Sequence, residues 1–313
     1  MIAVLLLAVA AAVALVAPRV LVSASWVYRG PVLGIAAWYA VLFSVTAAFS
    51  LAVVSLAIPW PRAVDAVCVL WRWCAEALRG EYGVIGHLAG GLVVGLVLLV
   101  AGHAVIVIAQ VTQSVVAWRR RHREAVALLG THSPGLGVTV LDHPEAAAYL
   151  VPGRRRRIVV TTGALVLLSA DELAAVVAHE RAHAAGWHHL LRDGARLLER
   201  AFPRVPLFTV ARQQIARLVE MRADQVAAVG RAPIDLARAL VAMATGSAVP
   251  SDALAATGGD AVERVQRMLR PPAPLPWIPR VGLVAAMVAV GMLPLAAAAL
   301  AWAEPVLAAC LPS

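Results

Sequence analysis

The spacing with the clearest chemical meaning in this chain is His-Glu-x-x-His at positions 179–183. On a helix, His179 and His183 lie one turn apart on the same face, so both imidazoles can bind one tetrahedral metal ion. Glu180 then lies beside the metal, where a general base for water is needed. The pattern predicts a catalytic zinc site with one ion per chain. The alternative is a surface helix with two solvated histidines.

A second motif, Glu-x-x-x-Asp, occupies positions 220–224. Glu220 can supply a third metal ligand, which leaves the fourth position for water. Asp224 lies on the same helix face and can accept a hydrogen bond from a ligating imidazole, which fixes its tautomer. His188 and His189 lie off the face of His183, so we do not expect them to be ligands. No cysteine lies near the first motif, which excludes a thiolate zinc site.

Composition indicates a membrane protein. Hydrophobic residues make up 61% of the chain and mean hydropathy is +0.81, well above the values of soluble domains. Four apolar stretches are long enough to cross a hydrocarbon core of about 30 Å, at 2–17, 32–58, 88–117 and 281–303. The first is the shortest, and a secretory signal is its alternative. We favour a retained span, because no positive charge precedes the apolar run.

Positive charge predicts the orientation of these spans. Most of the 27 basic residues lie between 118 and 280, and all are arginines. The positive-inside rule therefore places 118–280 in the cytoplasm and both termini outside, in a bacterial cytoplasmic membrane as a multi-pass protein. This topology and the attraction to anionic lipid headgroups explain the net charge of +9. We therefore expect no direct nucleic-acid binding.

The predicted fold class is a mainly α membrane protein with four transmembrane helices. Residues 1–117 hold three of them and an outer amphipathic loop at 59–87, which could instead sense an external signal. Residues 118–280 form a cytoplasmic α+β zincin-like (gluzincin) domain between the third and fourth helices. The fourth helix is 281–303, and 304–313 form a short outer tail.

The zinc domain should contain a small sheet and two long helices. Rich β-branched content and alternation predict strands at 157–162 and 137–141. A short edge strand lies between them and consists of Ala147, Ala148, Tyr149, Leu150 and Val151. Ser169 and Glu172 predict a capping box at the start of the helix that carries the first motif. A helix at about 207–229 carries the second motif, and a short helix follows Asp260.

Two runs carry a family resemblance, AYLVPGRRRRIVVTTGALVLLSADELAAVVAHERAH and, after it, EMRAD. They resemble the membrane zinc metallopeptidases of the BlaR and MecR type, and more distantly the HtpX and CAAX prenyl protease family. The resemblance implies that His179, His183 and Glu220 bind zinc, that Glu180 is the catalytic base and that Asp224 supports a ligand.

Two features depart from these families. Ala147 stands where the distant relatives often have asparagine, so that side chain cannot orient a substrate. Antibiotic sensors of the BlaR type continue into an extracellular penicillin-binding domain with a Ser-x-x-Lys nucleophile, whereas this sequence contains no lysine. We therefore expect that the chain is not a β-lactam receptor by itself.

These observations predict an integral membrane zinc endopeptidase that cleaves a cytosolic protein. An extended substrate would add to the edge strand at 147–151. By resemblance, the leading substrate is a winged-helix repressor of the BlaI type, which implies signalling by regulated proteolysis. Membrane-protein quality control is a second enzymatic hypothesis, and a non-catalytic signalling scaffold with a structural zinc site is a third of a different class. The lipid bilayer is a partner in each case, and homo-oligomers remain open.

Overall fold

The structure is a computed structural model that describes residues 2–57, 113, 117, 120–121, 123–153, 156–246 and 261–310. The described chain is mainly helical with one small sheet, as predicted. It divides into two compact units. A first unit comprises residues 1–23, 36–109 and 277–313, and a second unit comprises residues 24–35 and 110–276.

The elements in chain order are α1 (Ile2–Ser23), α2 (Ser25–Arg29), α3 (Pro31–Ala57), α4 (123–129), β1 (Gly130–Ser133), β2 (Val138–Leu141), β3 (Ala148–Val151), β4 (Arg157–Thr161), α5 (Thr162–Leu167), α6 (Ala170–Ala185), α7 (His188–Ala201), α8 (Pro206–Ala227), α9 (Pro233–Gly246), α10 (261–269) and α11 (Trp277–Cys310).

Three described helices are long and apolar enough to cross a membrane, over Ile2–Ser23, Pro31–Ser55 and Trp277–Leu300. They correspond to three of the four predicted spans. α1 continues beyond the predicted end at residue 17, and α11 extends on both sides of 281–303, through part of the segment that the sequence analysis assigned to a tail. The predicted span at 88–117 and the loop at 59–87 lie almost entirely outside the described residues.

The surfaces of these helices support a membrane location. Many large apolar side chains on α1 and α11 are exposed, for example Val4 at 70% and Leu300 at 78%. An extended apolar surface of this kind is rare on soluble monomers and suits contact with lipid. Where the helices of the first unit meet, small residues such as Ala3, Ala52 and Ala298 pack around Leu6.

The second unit contains a sheet with strand order β1-β2-β4-β3. β2 and β4 are parallel, and β3 pairs antiparallel with β4, from Ala148 opposite Val160 to Val151 opposite Arg157. β3 is therefore an edge strand among the described residues, as predicted. β1 was not predicted, because its sequence Gly-Thr-His-Ser shows little apolar alternation. It pairs with β2 through a turn that includes Gly137 at φ +64°.

Both faces of the sheet are covered, although with different partners. Val138, Ile158 and Val160 point to one side and pack in a core with Leu173 of α6 and Leu236 of α9. On the other side, Val151 and Val159 pack against Val126 of α4. The alternation of these side chains along β4 places α6 against the sheet on the larger core.

The start of α6 is fixed by the capping box that the sequence predicted. Ser169 Oγ accepts a hydrogen bond from the Glu172 backbone N–H, and a Glu172 carboxylate oxygen accepts one from the Ser169 N–H at 2.9 Å. These contacts satisfy N–H groups that a helix leaves unpaired at its first turn. This cap sets the first residue of α6 and therefore the direction in which the side chains of the motif point.

The segment that leads into β3 is held by the last residue of β4, Thr161, and by Gly163 just after it. Thr161 Oγ1 donates to the Glu145 carbonyl at 2.7 Å and accepts from the Ala147 N–H at 2.9 Å. The Gly163 N–H donates to the carbonyl of His143 at 3.0 Å. A Cβ on Gly163 would lie 2.1 Å from the Pro144 carbonyl oxygen, so only glycine allows this approach.

We expect Gly163→Ala to destabilise the second unit, because its methyl group must displace backbone rather than a side chain. Overpacking of this kind costs about 1–3 kcal/mol. Thermal unfolding of the protein in detergent should show a clearly lowered Tm. Gly135→Ala is the matched control, since a Cβ there meets nothing within 4 Å. Equal Tm values for the two variants would contradict this packing of the segment before β3.

Candidate metal centre

Two helices bring the motif residues together. His179 and His183 project from α6 and are 7% and 9% exposed, and Glu220 projects from α8, which packs against α6. The Nε2 atoms of the two histidines lie 3.0 Å apart. Glu220 Oε2 lies 3.5 Å from His179 Nε2 and 3.6 Å from His183 Nε2. The three residues that the sequence proposed as ligands thus present three donor atoms to one point.

The spacing of these donors fits a tetrahedral zinc ion. Zinc binds imidazole nitrogen and carboxylate oxygen at about 2.0–2.2 Å, so neighbouring ligand atoms of a tetrahedron lie roughly 3.3–3.6 Å apart. The three distances, 3.0, 3.5 and 3.6 Å, are close to this range. Two imidazoles and one carboxylate also match the donor set of catalytic zinc sites, which keep a fourth position open.

Asp224 lies one helical turn beyond Glu220 and contacts the other side of His179. Its Oδ1 lies 3.0 Å from His179 Nδ1, the nitrogen that faces away from the three donors. A carboxylate in this place favours the tautomer with its proton on Nδ1 and leaves Nε2 free to bind metal. The sequence assigned this supporting contact to Asp224.

Arg264 on α10 is a member of the site that sequence reasoning missed. Its guanidinium donates two hydrogen bonds to Asp224, at 2.7 and 2.8 Å, and its Nη1 lies 3.5 Å from Glu220 Oε2. A bidentate pair of this kind is strong and directional. Burial alone would raise the pKa of the Asp224 carboxyl, but the hydrogen bonds from Arg264 and His179 outweigh burial and lower that pKa.

A second arginine contacts the remaining oxygen of Glu220. Arg192 of α7 donates to Glu220 Oε1 at 3.2 Å, which leaves Oε2 directed to the histidines. Burial would raise the pKa of Glu220, but its contacts with His179 and His183 and the charge of Arg264 hold that pKa well below its usual range. Glu220 is therefore a carboxylate at neutral pH and can act as an anionic ligand.

The same carboxylates determine the charge of His179. Burial alone lowers the pKa of this imidazole, but Asp224 and Glu220 raise it to about 9. Without metal, His179 therefore carries a proton near neutral pH. Metal binding must displace this proton, as is usual for histidine ligands.

Glu180 lies apart from the donor triad and next to the edge strand. Burial raises the pKa of its carboxyl, while the charges of His179 and His183 and the backbone N–H of Leu150 lower it in part. A raised pKa suits a group that must take up and release a proton near neutral pH. Its position next to β3 would bring this carboxyl close to a peptide bound along that strand.

The outer edge of β3 directs backbone groups away from the sheet, one of which is the Leu150 N–H that contacts Glu180. The Thr161 N–H donates to the Ala147 carbonyl, so Ala147, Tyr149 and Val151 direct their backbone groups toward β4. Because successive residues of a strand alternate, Ala148 and Leu150 direct theirs away from β4. The predicted edge strand at 147–151 corresponds to β3, which begins one residue later, at Ala148. The addition of a substrate strand here stays a prediction.

His188 is the second contact that sequence reasoning missed. Its ring is buried and its Nδ1 lies 2.9 Å from His183 Nδ1. Burial and the charge of His183 lower the pKa of His188 to about 4, so His188 is neutral at pH 7. It contacts the side of His183 that faces away from Glu220, which agrees with its exclusion from the ligand set.

Residues 115–202 of the chain match the model of Peptidase family M48. The matched segment contains the His-Glu-x-x-His motif and the edge strand and ends before Glu220. Comparisons with curated proteins and with solved structures give no match. The match supports a metallopeptidase of this family, in agreement with the broader of the two resemblances, and does not distinguish the BlaR and MecR type.

Purified protein should hold about one zinc ion per chain if the three donors bind it. His183→Ala and Glu220→Ala each remove one of three protein ligands and should lose most of the metal. Glu180→Gln is the matched control and should keep it, because Glu180 is not among the three donors. Elemental analysis after exhaustive dialysis measures this. Full zinc content in both ligand variants would disprove the assignment.

Proposed function

We propose that the protein is an integral membrane zinc endopeptidase that cleaves a cytosolic protein. The observation that carries this proposal is the position of Glu180, a partly buried carboxyl that interacts with the three donors and with the Leu150 backbone at the outer edge of β3. A structural zinc site needs four protein ligands and no adjacent base. Three ligands with a nearby proton acceptor and an edge strand favour hydrolysis of a peptide.

Each residue then has a defined part in the reaction. A bound zinc ion supplies the Lewis acid that polarises the scissile carbonyl and makes water acidic. Glu180 accepts the proton of the attacking water and returns it to the leaving amine. The backbone groups of Ala148 and the carbonyl of Leu150 would hold the substrate in an extended conformation through strand pairing, while the Leu150 N–H contacts Glu180. Asp224 keeps His179 in the ligating tautomer.

The segment that follows the first described span belongs to the second unit. α1 ends at Ser23 and α3 begins at Pro31, and residues 24–35, which include the start of α3, lie in the same unit as the candidate metal centre. Within this unit, the Tyr28 hydroxyl donates to Gln214 of α8 at 3.1 Å and Arg29 Nε donates to the Ala273 carbonyl at 3.1 Å. α11 begins at Trp277, directly after the unit.

The proposed topology has four spans, with 88–117 as the third, so that both termini lie on the side of the membrane opposite to 118–280. The arginine-rich composition of 118–280 favours the cytoplasm for that segment.

The proposed substrate is a winged-helix repressor of the BlaI type, and the proposed role is transcriptional signalling by proteolysis. This choice rests on the resemblance to the BlaR and MecR type and on the cytoplasmic location that the arginine distribution predicts for 118–280. A neighbouring gene for a small winged-helix protein would favour this substrate over the targets of a quality-control protease.

Reporter fusions test the topology. A fusion after Arg157 should report the cytoplasm, and a fusion after Ser313 should report the outside, because an even number of spans leaves both termini on one face. Paired fusions to alkaline phosphatase and green fluorescent protein give opposite signals at each site and control for expression. A cytoplasmic C-terminus would contradict the four-span arrangement.

Glu180→Gln tests the proposed chemistry against the scaffold hypothesis. Removal of the base should lower the cleavage rate of a candidate repressor about 100- to 10,000-fold, while zinc content stays unchanged. Glu124→Gln is a matched control, because Glu124 on α4 is exposed and pairs with Arg120. Product analysis by mass spectrometry with the zinc-loaded protein in detergent provides the readout.

The same pair of variants separates enzyme from scaffold in cells. A protease that removes a repressor should lose target-gene induction with Glu180→Gln, and full-length repressor should accumulate. A scaffold needs only a stable fold and should signal normally. Normal signalling by Glu180→Gln at matched protein level would therefore disprove the protease proposal.

A further inference from the structure

The buried imidazole of His188 contacts the metal centre without joining its donor cluster. Its Nδ1 lies 2.9 Å from His183 Nδ1, and the two rings are nearly perpendicular at 87°. His183 directs its other nitrogen, Nε2, to His179 and Glu220. One nitrogen of His183 therefore faces the donors and the other faces His188.

The chemistry of imidazole determines the direction of the hydrogen bond. A histidine that binds metal through Nε2 carries its proton on Nδ1, so His183 Nδ1 must donate. His188 Nδ1 must then accept, which puts the proton of His188 on its own Nε2. The geometry points to His188 as a positioning residue that fixes the tautomer and ring orientation of His183. This inference rests on the zinc site proposed above.

The two ligating histidines thus have different supports. His179 contacts the carboxylate of Asp224, which itself pairs with Arg264. His183 contacts an imidazole, which can supply an acceptor nitrogen but, unlike a carboxylate, adds no negative charge. Groups that support metal ligands in this way change metal affinity or activity about 10- to 100-fold when they are removed.

The turn between α6 and α7 is built to bring His188 back to His183. Trp187 at the start of α7 has φ 52° and ψ 31°, a left-handed conformation that is rare for a bulky residue. Such strain persists only where its surroundings enforce it. Arg156 contacts both sides of this turn, because its guanidinium lies 3.9 Å from the Trp187 ring centroid and also donates to the Ala184 carbonyl.

Gly186 provides the space that the His188 ring occupies. A Cβ at this position would lie 2.2 Å from His188 Nε2 and 2.5 Å from its Cδ2. The backbone of Gly186 has φ −79°, which any residue adopts, so space rather than conformation requires glycine here. Gly186→Ala should therefore displace the ring and leave the backbone unchanged.

Zinc affinity of the full chain in detergent, measured by competition with a chelator, tests the inference. His188→Leu removes the acceptor and should raise the zinc Kd about 10- to 100-fold. His188→Asn should stay within about threefold of wild type, because asparagine Oδ1 can occupy the position of the imidazole Nδ1 and accept the same bond. His189→Leu is the matched control, since the His189 ring lies near Trp187.

Two results would overturn the inference. Wild-type zinc affinity in His188→Leu would show that His188 does not support His183. Equal loss in His188→Leu and His188→Asn would show that ring shape rather than the acceptor matters. Gly186→Ala should reproduce the loss of affinity while the Tm of the metal-free protein stays near wild type, and wild-type affinity in this variant would also contradict the assignment.

Nitrogen-15 NMR of the zinc-loaded wild type tests the same point without a substitution. We expect the proton of His183 on Nδ1 and that of His188 on Nε2. A proton on His188 Nδ1 would overturn the inference even if the variants do not fold. Failure of the zinc site itself would look different, because the wild-type chain would then bind no zinc.

Discussion

The structure depends on the convergence of two imidazoles and one carboxylate at donor separations of 3.0–3.6 Å. The 3.0 Å separation of the two Nε2 atoms is a hydrogen-bond distance, which suits a proton or a cation between them. The packing of α6 against α8 brings the donors together. The cap at Ser169 sets where α6 begins, and the buried face of α8 sets which of its side chains point to α6. The metal centre is therefore a property of the helix pair.

Charge around the donors is balanced in a way that suits metal binding. Glu220 and Asp224 are buried carboxylates that would be costly alone, and two arginines partly neutralise them. Arg264 contacts both carboxylates, while Arg192 contacts the outer oxygen of Glu220. This arrangement keeps both acids ionised and leaves one oxygen of Glu220 directed at the histidines. A dication that replaces the proton on His179 would complete the balance.

The sequence was most informative where function depends on local spacing. The one-turn separation of His179 and His183 and the cap at Ser169 are properties of a single helix, and the structure reproduces both. The spans found by composition agree for the three described helices. β1 could not be predicted, because its pairing with β2 rather than its own residues makes it a strand.

Contacts that depend on distant packing or on an unusual turn were not predictable. Arg264 reaches Asp224 from a helix about 40 residues later, and no spacing rule connects two such elements. The sequence analysis placed His188 off the face of His183 by treating both residues as part of one helix. The helix ends before His188, and the left-handed backbone of Trp187 changes the direction of the chain there. This change of direction brings the His188 ring into contact with His183, whereas a continued helix would point it elsewhere.

The most direct test of the metal centre is X-ray absorption spectroscopy of the zinc-loaded protein in detergent. We predict two imidazole nitrogens at about 2.0–2.1 Å, with the remaining coordination by oxygen from a carboxylate and from water. Sulfur scattering, or a fit that requires three or more imidazoles, would contradict the assignment of His179, His183 and Glu220 as the ligands.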